Sequence, residues 1–255
     1  MNQKGNYIGV FDSGVGGISV LRHLGKLLPN ERFLYYGDSA NAPYGRRTTA
    51  QVQELTLAAV EKMMVHGLKA LVVACNTATA AAIQSLRQTY PDLIVIGIEP
   101  ALKPAVDQFP GGRIGVMATE VTLREEKFDA LLRRYEEAAT ITKIPAPGLV
   151  ELVETGKANT NEAELLLSAL LGPYAGKLDA LVLGCTHYPL ATGAIRKVLG
   201  PRVVLIDGGE GTARETKRRL EQSGLLYDGP GEILWQNSGE NREILNLCKT
   251  LLNQR

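Results

Sequence analysis

Leu71-Val72-Val73-Ala74-Cys75 and Leu181-Val182-Leu183-Gly184-Cys185 are the stretches on which the fold turns. Each is an apolar run too short for a helix, and each ends in cysteine. Such a run reads as a buried parallel strand. The two lie 110 residues apart (185 − 75). Upstream, Ile8-Gly9-Val10 recurs as Ile114-Gly115-Val116, at an offset of 106 (114 − 8). A loop insertion accounts for the difference. The economical reading is two similar α/β domains, each with a first strand and a later strand that ends in a thiol. Chance likeness between β-branched runs is the competing reading, and the repeat alone does not separate them.

Further strands are predicted at Tyr7–Phe11, Arg32–Tyr36, Ala70–Ala74, Leu93–Ile96, Arg113–Met117, Ala180–Leu183 and Val203–Ile206. Between them run segments of helical period. Thr49 to His66 places Val52, Leu55, Ala59, Val60 and Met63 near one face, with Gly67 as its C-cap. Asn161–Leu171, Ala191–Leu199 and Thr212–Ser223 read likewise. Strand–helix–strand alternation implies the α/β class with mostly parallel sheets.

Composition narrows the function. The chain has 255 residues, 28 Lys+Arg against 27 Asp+Glu, and a net charge of +1. That balance argues against a broad electrostatic footprint for nucleic acid or a membrane surface. The apolar runs fall far short of the roughly 20 residues that span a bilayer. No secretory h-region stands near the polar N-terminus, so an intracellular protein is expected. Cys75, Cys185 and Cys248 are an odd set and no C-x-x-C occurs, so neither a disulfide framework nor a zinc ribbon is signalled. His23, His66 and His187 are scattered.

Ligands of open α/β sheets bind beyond the carboxyl ends of strands. There this chain has Asp12-Ser13-Gly14-Val15-Gly16-Gly17, Gly37 to Gly45, Cys75-Asn76-Thr77-Ala78-Thr79, Ala118 to Thr122, and Cys185-Thr186-His187-Tyr188-Pro189. Ser13 to Gly17 is either a tight strand-to-helix turn or a backbone N–H nest for an anion; it lacks the lysine of a phosphate loop. A single buried cysteine is ordinarily an inert apolar residue. Here two stand in equivalent places, each followed by hydroxyl or amide donors that favour a thiolate. Two thiols facing one cleft suit removal of a proton on one face and its replacement on the other. A Cys–His hydrolase needs only one. His187 is an acid or base for Cys185, or a packing or capping histidine.

At these residues the chain resembles the cofactor-independent aspartate/glutamate racemase family, on its glutamate branch. Gly9 to Gly17, Ala74 to Thr79 and Leu183 to Leu190 carry the likeness, which runs from Ile8 to about Asp207. The resemblance implies two α/β domains with the active site in the cleft between them: residues 1–97 with a returning 208–255, and residues 98–207. It implies Cys75 and Cys185 as the catalytic thiols, acting on D- and L-glutamate respectively, assisted by Asp12, Glu154 and His187. It implies substrate contacts from Asp12, Ser13, Pro43, Tyr44, Gly45, Cys75, Asn76, Thr77, Thr119, Thr122, Cys185, Thr186 and His187. Among these, Tyr44, Asn76, Thr119, Thr122 and Thr186 are expected to ligate the two substrate carboxylates. No cofactor and no metal are implied. A homodimer in a bacterial cytoplasm, supplying D-glutamate for peptidoglycan, is the expected setting. The short N-terminus is not expected to carry the extension through which some members are activated. Ser39, Asn41, Val121 and Glu151 depart from residues common in the family. Rival readings are a racemase for aspartate or another acidic amino acid, a non-catalytic regulatory protein, and a redox-sensing thiol protein.

Overall fold

A computed structural model describes residues 6–124, 126–239 and 242–253. The chain forms two compact units. The first takes the chain up to Ile98 and again from Gly209; the second runs from Glu99 to Gly208.

The first unit holds strands β1 (Tyr7–Asp12), β2 (Arg32–Gly37), β3 (Leu68–Val73) and β4 (Ile94–Gly97). In the second lie β5 (Arg113–Ala118), β6 (Thr140–Pro145), β7 (Ala180–Leu183) and β8 (Val204–Asp207). Strand β9 (Glu232–Asn237) belongs to the first unit. The sheet orders are β4-β3-β1-β2-β9 and β6-β5-β7-β8, and every pairing is parallel. Read in one direction, β4-β3-β1-β2 and β8-β7-β5-β6 are the same topology.

The likeness extends to register. Ile8 and Gly9 stand opposite Ala70 and Leu71, and Ile114 and Gly115 stand opposite Ala180 and Leu181. Both glycines are required for one reason. A Cβ on Gly9 would lie 2.7 Å from a methyl of Leu68, and one on Gly115 would lie 2.8 Å from a methyl of Leu178. The leucine that crosses the first strand recurs at the same offset as the cysteines. Duplication accounts for this agreement better than chance does.

The seven strands expected from apolar runs are present, some shifted by a residue or two. Two more, β6 and β9, were not anticipated. Both are edge strands, and along each most side chains are only partly covered, so neither sequence shows a continuous apolar run. The helix after β2 spans Thr49–Met64, two residues shorter than predicted. It starts with a capping box in which Thr48 and Gln51 each bond the other's backbone, a device that typically contributes about 0.5–2 kcal/mol. Val52, Thr56, Ala59, Val60 and Met63 form its buried face. Gly67 follows at φ 72°, the left-handed conformation that turns the chain into β3. The helix predicted from Thr212 begins instead at Gly209. Among the described residues, no helix is long and apolar enough to cross a membrane.

Candidate functional site

The expected site residues fall into two groups, one per unit, each at the carboxyl ends of strands. In the first unit Cys75 follows β3 and is the N-cap of helix Asn76–Thr89. Its Sγ accepts from the Ala78 N–H at 3.4 Å and lies 3.4 Å from the Ser13 hydroxyl. The helix N-terminus favours sulfur as the thiolate, while the Ser13 oxygen is placed to accept from the thiol. Asp12, at the end of β1, is fully buried and accepts from the Gly14 N–H at 3.0 Å. The Ser13–Gly17 segment is further pinned by the Tyr35 hydroxyl, which donates to the Gly14 carbonyl at 2.7 Å. The loop is thus a built turn with its own internal partners. Asn76 and Thr77 occupy the first turn of the helix and are buried.

Pro43 precedes a single helical turn, Tyr44–Arg46, that also holds Gly45. Tyr44 is buried against Phe11, and its hydroxyl donates to Asp38 at 2.6 Å. Burial first, then the Asp38 carboxylate, pushes the Tyr44 phenol far above its ordinary range. Its proton is therefore committed to Asp38. Asp38 itself was not singled out by the sequence reading. A carboxylate directly after a strand, within a Gly/Ser/Asn-rich loop, was the available signal.

In the second unit Cys185, Thr186 and His187 follow β7. The His187 ring is buried and its Nε2 lies 2.6 Å from Glu154 Oε1, at the end of helix Leu149–Glu154. Its Nδ1 lies 3.6 Å from Cys185 Sγ and 3.4 Å from the Thr186 hydroxyl. A carboxylate accepts only, so Glu154 fixes a proton on Nε2 and turns Nδ1 toward the thiol. Burial opposes charge on this imidazole. The hydrogen bonds to Cys185 and Glu154 outweigh it and raise His187 well above the usual histidine value. His187 heads the turn Tyr188–Ala191 without capping it through its side chain. It lies beside Cys185, where the acid-or-base reading needs it. Behind it Tyr188 is buried and donates to the Ala146 carbonyl at 3.4 Å.

Thr119 follows β5, the neighbour of β7, and Thr122 lies in helix Glu120–Arg124. Their hydroxyls are 3.0 Å apart. Each unit thus presents one thiol and hydroxyl groups at equivalent strand ends, with a carboxylate at the end of β1 in the first and at the end of helix Leu149–Glu154 in the second. Such a set can take up and return a proton, and can bind an anion through aimed donors. Among the described residues, no group of three or more His, Cys, Asp or Glu side chains could hold a metal ion.

Comparison with known proteins gives this arrangement its context. Residues 8–216 match the family described as Asp/Glu/Hydantoin racemase. The chain is 49% identical to a glutamate racemase of Clostridium novyi over 249 residues, covering 96% of each chain. The fold is similar to that of a glutamate racemase isoform of Bacillus anthracis, with TM-score 0.87, 33% identity, and coverage of 99% of this chain and 96% of the other. It is also similar to the Francisella tularensis glutamate racemase in complex with D-glutamate, with TM-score 0.85, 26% identity, and coverage of 99% and 95%. With its duplicated sheets, its paired strand-end cysteines and a match over most of its length, this chain belongs to the Asp/Glu/Hydantoin racemase family.

Proposed function

We infer that the protein interconverts L- and D-glutamate by proton transfer at Cα, with Cys75 and Cys185 acting on opposite faces of one substrate. The observation that carries this reading is the repetition of a thiol two residues beyond equivalent strands, each beside its own activating groups. The relatives' substrate supports glutamate.

In the direction from L-glutamate, the Cys185 thiolate removes the Cα proton and Cys75 delivers its S–H proton to the other face. The enzyme is left with Cys185 as thiol and Cys75 as thiolate, poised for the reverse reaction. Return to the starting state requires proton exchange with water. A free thiol, titrating near about 8.5, is only a few per cent ionised at neutral pH. His187 Nδ1 meets that need at Cys185 by accepting the S–H proton. The Ala78 N–H, at the head of helix Asn76–Thr89, meets it at Cys75. The carbanion gains an adjacent carboxylate, so an enediolate must be stabilised; Asn76, Thr77, Thr119, Thr122 and Thr186 are the donors for it. Asp12 and Glu154 complete the set, and Pro43, Tyr44 and Gly45 line the Cys75 side. No cofactor enters this scheme. A homodimer in a bacterial cytoplasm, making D-glutamate for peptidoglycan, is the setting that fits.

The test is isotopic. With L-glutamate in D₂O and no cofactor added, early D-glutamate should carry deuterium at Cα while unreacted L-glutamate stays largely protiated. Heavy early label in the L-glutamate pool would overturn the two-thiol scheme. The same assay with L-aspartate should be slower by about 10⁴-fold, because a polar site built for one chain length leaves buried groups unpaired with another. Comparable turnover would favour the rival substrate.

A further inference from the structure

The loop that carries Pro43, Tyr44 and Gly45 is held from two directions. From within, the buried Asp38 carboxylate accepts from the Tyr44 hydroxyl at 2.6 Å and from the Asn41 amide at 3.1 Å. Arg47 Nε adds a bond to the Asn41 carbonyl at 2.9 Å. From without, the carboxyl end of β9 reaches over the same loop. Asn237 Nδ2 donates to the Ser39 hydroxyl at 2.9 Å, and the Ala40 N–H donates to the Ser238 hydroxyl at 3.0 Å. The Ser238 N–H closes the join on the Gly37 carbonyl at 2.9 Å. Asn237 cannot turn away, because its Oδ1 accepts from the Gly239 N–H at 2.8 Å. The junction is tight as well as bonded. A Cβ on Gly37 would lie 2.8 Å from Asn237 Nδ2 and 2.6 Å from the Gly14 carbonyl oxygen.

The geometry points to Asn237 and Ser238 as positioning residues for loop 38–45. The returning segment sets where this loop stands, and so sets substrate affinity on the Cys75 side. The inference rests on the substrate reading above. Neither residue touches a thiol, so the proton-transfer step does not depend on them directly. Ser39, one of the residues that depart from those common in the family, and the Ala40 N–H are the loop's contacts with the returning segment, while Asn41 bonds Asp38 and Arg47 within the loop.

The experiment compares wild type with Asn237→Ala, Ser238→Ala and Ser238→Thr. It reads KM and kcat for glutamate, melting temperature, and amide hydrogen exchange over residues 38–45. Loss of one such bond should raise KM by about 3–10-fold, the range of one net hydrogen bond, with kcat within about twofold. Exchange over 38–45 should quicken in both alanine variants, and Ser238→Thr, which keeps the hydroxyl, should stand near wild type. Asn237→Ala combined with Ser39→Ala should be no worse than Asn237→Ala alone, because the bond that Ser39 makes to Asn237 is already lost. Unchanged KM overturns the inference. A lowered melting temperature with unchanged exchange in the loop overturns it too, since that is what a merely structural role would give. Failure of wild type to racemise glutamate would sink the substrate reading instead, and the exchange measurement would still decide whether these residues place the loop.

Discussion

His187 is bonded at both ends of its ring, and this gives it a pH signature. A histidine whose folded value lies above its unfolded one adds stability that is complete below about pH 6.5 and vanishes as pH rises through the raised value. Glu154→Gln weakens one of the raising contacts. The wild type should therefore exceed Glu154→Gln in melting temperature most near about pH 6, and the gap should close toward alkaline pH. A gap that widens with pH would contradict the assignment. Each thiol should be needed in both directions. Cys75→Ala and Cys185→Ala are expected to lower racemisation by about 10³-fold or more, as loss of a positioned acid or base does. Cys248 is buried in helix Arg242–Asn253, away from the strand ends that carry the other two thiols, and Cys248→Ala should keep its activity. The thiols and His187 were legible because they follow strands in a recognisable order. Glu154 was not legible by pattern: it lies 33 residues from His187, and only resemblance pointed to it. Asp38 was missed because its role is defined by Tyr44, six residues on, through a loop that no periodicity describes.

At the scale of elements, legibility followed apolar continuity. The buried strands are continuous apolar runs, and so is the half-covered edge β8; the edges β6 and β9 are interrupted by polar residues. What holds β9 and the segment before it in place is partly charge. Lys69 at the start of β3 and Glu31 just before β2 are buried and paired at 2.5 Å. Lys69 Nζ also donates to the Leu225 carbonyl at 2.7 Å, and Glu31 Oε1 accepts from the Tyr227 N–H at 2.9 Å. The pair thus clasps the chain between helix Gly209–Gln222 and β9 to the amino ends of the central strands. Lys69→Met strands the Glu31 charge, and should cost about 3–5 kcal/mol. Adding Glu31→Gln should restore a good part of it. Equal stability of the single and double variants in urea titrations would show that the charge is not what the pair compensates.

For the whole molecule, the matching strand order and register of the two sheets are what the repeat in the sequence foretold. Return of the later chain to the first domain was expected from the resemblance alone; its means, β9 added to the edge of the first sheet, was not read from the residues, since no single strand announces the sheet it will join. That return has a consequence during synthesis. Residues 99–208 leave the ribosome as one uninterrupted unit and can fold at once. The first unit, begun earlier, waits until residues 232–237 emerge before β2 gains its outer neighbour. In that interval β2, buried along five of its six residues in the finished fold, is an open edge able to pair with another nascent chain. A chain stopped at Gln222 should preserve that interval permanently. Its soluble yield should fall sharply against full length, with exchange protection retained over 113–118 and 180–183 and lost over 32–37. Residues 209–237 thus make the protein's survival a race between translation and aggregation, a race that slower elongation over that stretch would lengthen.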